Sequence, residues 1–353
     1  MIHKNLSRRA FVHGAAAVSG MAAFAASSRA HAFPFQIAAP TQPASPRRID
    51  VHHHILPPDY VSAVGSAVIG APAAKATAPS WSVADSLQAM DAFGIETAMT
   101  SISSPGIPLD DSTALRRVAR LCNDFAKQMT VDHPGRFGTF AVLPLPDVAA
   151  SLEEVKYAYD VLHADGIGLH TNYHALYLGD PRFAPLMEEL NRRKAVVFVH
   201  PTVCSCTLGS IPGVADSSIE YPHDTTRTIT SLLANGTFKK CPDVRFIFSH
   251  AGGTMPFLIN RIGSLPGTAP EGPLPQLRRQ YFELAQSANP QAMTPLLGMV
   301  DPSHVMFGTD FPFVRENAVK GVIQGIATSI LKPQDIPLVE RGNALTLFPR
   351  FAS

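Results

Sequence analysis

The sequence predicts an α/β chain closed into a (β/α)8 (TIM) barrel, and three observations carry that expectation. Eight short apolar runs alternate with eight helical patterns from residue 49 onward, the order of a parallel sheet with crossover helices. Several of those runs end in a ligand-type side chain: His52 and His54, then His200, His250 and Asp310. A buried strand gains nothing from such an ending, since desolvating an unpartnered polar group costs roughly a few kcal/mol, so these ends imply one shared destination. Length and composition agree: 353 residues, 46% hydrophobic and 16% charged, suit one large, well-buried domain.

Taken in chain order, residues 1–32 hold four cations (Lys4, Arg8, Arg9, Arg29) and no acid. Ser7-Arg8-Arg9-Ala10-Phe11 resembles a twin-arginine motif, an apolar run spans Ala15 to Ala26, and Ala30-His31-Ala32 fits a small-x-small cleavage site. The expectation is a twin-arginine signal peptide over 1–32, cleaved after Ala32, with the Tat machinery as export partner and the periplasm as destination. Residues 33–48, rich in Pro, Ala and Gln, read as a linker, and 49–348 as the barrel.

Strands are expected near 49–54, 97–103, 137–145, 166–173, 195–201, 246–252, 281–287 and 305–312. Helices are expected near 82–93, 110–132, 151–163, 183–193, 223–235, 255–263, 290–298 and 316–328, with Ser82 and Asp85 as an N-cap pair for the first. An open doubly wound sheet is the alternative, but such sheets rarely place functional side chains on so many strands. The connections 55–81 and 201–222 are long and leave from the end where chemistry belongs, which makes them candidate lids.

The formal charge of +1 divides into the basic first 32 residues and a remainder of 25 basic against 28 acidic groups. That balance gives no electrostatic reason for a nucleic-acid or membrane partner. Four cysteines, at 122, 204, 206 and 241, lack the paired spacing of a zinc knuckle or redox motif. They are expected as buried free thiols, with pairing of Cys204 or Cys206 in an oxidising compartment as the alternative.

The blocks Asp50-Val-His-His-His54, Met90-Asp91-x-x-Gly94-Ile95, Leu190 through Pro201, Asp224-Thr-Thr-Arg227, Phe248-Ser-His-Ala-Gly-Gly253 and Phe307-Gly-Thr-Asp-Phe-Pro312 together resemble the amidohydrolase superfamily. Within it they are most similar to the branch that holds aminocarboxymuconate-semialdehyde and 6-methylsalicylate decarboxylases. The resemblance implies one divalent metal, zinc first and manganese second, on His52, His54, His200 and Asp310, with His250 as acid/base residue. Strand four, Gly166 to Tyr173, has no lysine of the kind that bridges two metals in binuclear relatives, so one ion is expected. His170 and His174 lie in that neighbourhood outside the family motif.

The resemblance further implies that Arg261 reaches a substrate carboxylate across a homodimer interface. Trp81 is a candidate for stacking on an aromatic substrate or, alternatively, a hydrophobic staple at a helix start. Thr77 stands where muconate-semialdehyde enzymes carry arginine, and Glu283 where relatives usually carry aspartate; the first departure favours the aromatic-acid branch. The expected function is therefore non-oxidative decarboxylation of a hydroxylated aromatic or related unsaturated carboxylic acid. A metal-dependent hydrolase of a lactone, ester or amide on the same site is the rival, since activated water beside a histidine base attacks acyl carbon too. A non-enzymatic metal-binding scaffold is the third reading.

Overall fold

The computed structural model describes residues 47–70, 78–209, 211–263, 265–268, 270–314 and 316–352. The expected signal peptide, most of the expected linker and Thr77 lie outside the described residues. Eight parallel strands pair in chain order: β1 (Arg48–His54), β2 (Ile95–Ser101), β3 (Phe137–Val142), β4 (Gly166–His170), β5 (Val196–His200), β6 (Arg245–Phe248), β7 (Tyr281–Glu283) and β8 (Val305–Met306). Backbone bonds close the ring between β1 and the residues after β8: Val51 N–H to Phe307 O at 3.1 Å, His54 N–H to Phe311 O at 2.7 Å, and Asp310 N–H to His52 O at 2.7 Å. Arg48, assigned to the linker by the sequence reading, is the first residue of β1.

The principal helices are α1 (Val83–Ala92), α2 (Ser112–Asp132), α3 (Val148–Asp160), α4 (Ala184–Arg192), α5 (Asp216–Ala234), α6 (Met255–Ile262), α7 (Pro290–Met299) and α8 (Glu316–Ala327). Helix α2 shows why these segments fold as they do. Asp111 accepts a bond from Ala114 N–H at its start, and Leu115, Val118, Cys122, Ala126 and Met129 form a buried stripe at helical spacing. Ser82 and Asp85 form the expected reciprocal cap on α1. Helix α5 begins seven residues before its expected start, because it runs through Pro222, a residue that reads from sequence as a break.

Strands β3 to β8 are all shorter than the sequence suggests. Beyond the ends of β6, β7 and β8, His250 (φ 53°), Gln286 (φ 54°) and Asp310 (φ 65°) adopt left-handed backbone, so the expected strands cannot run on through these positions. After β4 a small antiparallel hairpin, Asn172–Tyr173 with Leu176–Tyr177, replaces the end of the expected strand.

Strand alternation separates two apolar layers. On β5, Val197 and Val199 pack outward against the helices, while Val196 and Phe198 join Val51, Met99, Phe140 and Met306 in a second cluster that fills the barrel. Phe348 and Phe351 close this cluster as a floor, so the packed unit extends past residue 348. Cys122 and Cys241 are buried free thiols as expected, but Cys204 and Cys206 form a disulfide. A turn explains the pairing: Thr207 N–H bonds Cys204 O at 2.9 Å, bringing the two Cα atoms within 5.2 Å.

Candidate active site

Strand β1 supplies two of the site's imidazoles by means of a bulge. Asp50 pairs with Ala98 but His53 with Thr100, so β1 carries one extra residue between them. Val51 and His52 consequently both reach the barrel interior, the ring of His52 lying 5.0 Å from that of Phe198. His54 regains the inward face, and His53 turns away to Asp50 Oδ2 at 3.1 Å and Ser86 Oγ at 2.9 Å. The Asp50 carboxylate holds the bulge, accepting from His52 N–H, from Thr309 N–H and from the Thr309 hydroxyl.

Four imidazoles are each fixed through Nδ1. His52 bonds Glu283 Oε1 at 2.8 Å, His54 bonds Ser101 Oγ at 3.0 Å, His200 donates to Pro201 O at 2.8 Å, and His250 donates to Ala285 O at 2.9 Å. A carbonyl oxygen only accepts, so neutral His200 and His250 carry their lone pair on Nε2. Nε2 of His52 lies 2.9 Å from Nε2 of His54, and both face Asp310 Oδ1, at 3.3 and 3.2 Å. One donor atom from each of His52, His54, His200 and Asp310 falls within 4.8 Å of all the others.

Electrostatics follows from that crowding. Burial disfavours charge on His52, but Glu283 and Asp310 outweigh it and push its pKa up to about 10. Burial dominates at His54, taking it down to about 4, and with the neighbouring His54 and His52 it holds His200 well below the usual imidazole range. Asp310 sits well below the carboxylate range because His52 beside it overcomes the effect of burial. With the His52 proton displaced, three imidazole nitrogens converging with a carboxylate form a donor set suited to a divalent ion. The separations among His52, His54 and Asp310, 2.9, 3.3 and 3.2 Å, lie close to the roughly 3.0–3.4 Å expected between donors about 2.1 Å from one ion.

A cavity of about 990 Å³ opens over this cluster, bounded by His200, His250 and Asp310 and walled by Ile69, Tyr221 and Phe313. Both expected lid segments contribute, joined where the Tyr221 hydroxyl donates to Gly70 O at 3.0 Å. Among the described residues no lysine or arginine lines it.

The five strand-end residues are brought together; other candidates are not. Trp81 does not line the cavity. Its indole N–H bonds Ser86 Oγ at 2.9 Å and its ring lies 6.1 Å from Phe125, so it packs at the start of α1. Arg261 is exposed on α6, away from its own chain's cavity. His170 is buried 6.0 Å from the His200 ring, its pKa taken down to about 4 by burial, and His174 is exposed at the hairpin turn. Sequence reasoning missed the orienting groups Ser101 and Ala285 O, which lack a motif of their own, and quoted Asp50 in a motif without assigning it a role. Glu283 was noted only as a change in side-chain length.

An amidohydrolase family model matches residues 49–350. The chain belongs to the amidohydrolase family. It is 39% identical over 325 residues to the decarboxylase yanB of Aspergillus niger, covering 86% of this chain and 88% of that one. It is 36% identical to the 6-methylsalicylic acid decarboxylase acuB of Aspergillus aculeatus, covering 86% and 96%. In fold it resembles a 5-carboxyvanillate decarboxylase from Novosphingobium aromaticivorans, solved with manganese and 4-hydroxy-3-methoxy-5-nitrobenzoic acid (TM-score 0.73, 18% identity, 86% of this chain and 96% of that one).

Proposed function

We propose that this amidohydrolase is a metal-dependent carboxy-lyase that removes carbon dioxide from a hydroxylated aromatic acid. The convergence of His52, His54, His200 and Asp310 beneath His250, in a chain similar over most of its length to aromatic-acid decarboxylases, carries the reading. His52, His54, His200 and Asp310 would hold the ion, and zinc is favoured over manganese for a site rich in imidazole. When bound, the ion supplies positive charge for the substrate's carboxylate and adjacent oxygen, in a cavity that has no cationic side chain of its own among the described residues.

The chain's own residues then account for the proton. Ala285 O fixes His250 with Nε2 free of that bond, placing an acid/base group beside the ion site. His250 takes up a proton from solvent on Nε2, passes it to the ring carbon that bears the carboxylate, and is left neutral. The carbon–carboxylate bond breaks, its electron pair restores the aromatic ring, and carbon dioxide leaves. Tyr221 and Phe313 provide apolar walls for a planar ring. In this reading Arg261 adds a cation from a second subunit of a homodimer. The precursor is exported by the twin-arginine route to the periplasm, which N-terminal sequencing of the mature protein checks: a start at Met1 removes that part.

The test is evolution of carbon dioxide from 6-methylsalicylate and 2,6-dihydroxybenzoate by protein stripped of metal and reloaded with zinc or manganese. Gas release restored by one of the ions is expected. Hydrolysis of aryl esters or lactones without decarboxylation overturns the assignment in favour of the hydrolase.

A further inference from the structure

The end of β7 and the residues just after it orient much of the site. Glu283 Oε1 accepts from His52 Nδ1 and, at 2.6 Å, from His250 N–H; Ala285 O takes the His250 ring proton; and Gln286 Nε2 donates to Asp310 Oδ2 at 2.7 Å. Three of the five converging residues are thus oriented by four consecutive positions. Glu283 and Ala285 are fully buried, whereas Gln286 is exposed to the cavity. Its φ of 54° is a strained conformation that side-chain-bearing residues rarely adopt and that clusters at functional sites.

The two oxygens of Asp310 have different partners. Oδ1 faces Nε2 of both His52 and His54, while Oδ2 receives the Gln286 amide. A carboxylate free to rotate offers both oxygens to an ion; one whose second oxygen is already hydrogen-bonded offers one. Gln286 is suited to this task by chemistry as well as reach. Its amide donates without carrying charge, whereas a lysine would add a competing cation and a glutamate a second carboxylate donor beside Asp310.

We propose that Gln286 is a positioning residue that holds Asp310 as a single-oxygen ligand, with Oδ1 directed at the ion. The inference rests on the metal reading above and concerns how the ion is held, so it is tested by binding rather than by turnover. Metal-free wild-type, Gln286→Met and Gln286→Ala proteins are titrated with cobalt(II) against a chelator, and the visible bands of the cobalt form are recorded. Methionine keeps the length of the side chain but has no amide to donate.

Both variants are expected to bind cobalt about 10–100-fold more weakly than wild type, with weakened visible bands as the freed Asp310 adds its second oxygen and coordination number rises. Because residue 286 is exposed, the metal-free variants are expected to melt at the wild-type temperature. Wild-type binding and unchanged bands in Gln286→Met overturn the proposal while leaving the metal reading intact. A wild-type protein that takes up no cobalt overturns the metal reading and this inference together.

Discussion

The mouth and the floor of the barrel are built from the same strands by opposite means. On β5, Phe198 belongs to the apolar fill and His200, two residues on, to the ion cluster. The floor is regular: alternating apolar residues, aromatic contacts such as Phe140 on Phe348 at 5.8 Å, and a C-terminal plug. The mouth is irregular, with a bulge in β1, left-handed residues at 250, 286 and 310, and ion-cluster imidazoles each bonded through Nδ1. The floor contributes stability with little geometric demand, whereas the mouth stores strain and unfavourable burial to aim a few atoms.

Separating the two functions by substitution sharpens that contrast. His200→Ala is expected to lose bound metal, read by elemental analysis, and to lower kcat/KM by at least about 10³-fold. His250→Ala keeps the metal and loses about 10²–10⁴-fold in kcat; equal metal loss in both would undo the division between ligands and acid/base residue. At the floor, Phe348→Ala is expected to cost about 3–5 kcal/mol in denaturant unfolding, with kcat of the folded fraction near wild type. A fall in kcat that outpaces the fall in stability would break the comparison.

Glu283→Gln keeps the side chain's length but withdraws the charge beside His52 Nδ1, so metal affinity should fall about 10–100-fold in a chelator competition. Smallest is Ser82→Ala, which removes the α1 cap and should lower stability by about 1 kcal/mol with no change in metal affinity. A measurable change in affinity there would mean that the Ser86–His53–Asp50 chain transmits to the site.

Much of this contrast is legible in the sequence, and the remainder is not for identifiable reasons. His200, His250 and Asp310 stand out because a polar residue ends an apolar run, and the helices because their stripes and caps are local. The bulge at Val51–His52 is invisible because it exists only relative to β2. Trp81 is ambiguous until Ser86 and Phe125 are seen beside it. Gln286 has no signal at all: its role is defined by a carboxylate 24 residues away.

Glu283 also constrains how the barrel can be re-engineered. A Cβ on Gly308 would fall on Glu283 Oε2, so the longer acid at the end of β7 and the missing side chain just past β8 behave as a single interlocked unit. Libraries that vary position 283 or 308 alone will therefore return mostly inactive clones, and a shift to a shorter acid is better explored as a paired exchange that refills the vacated space.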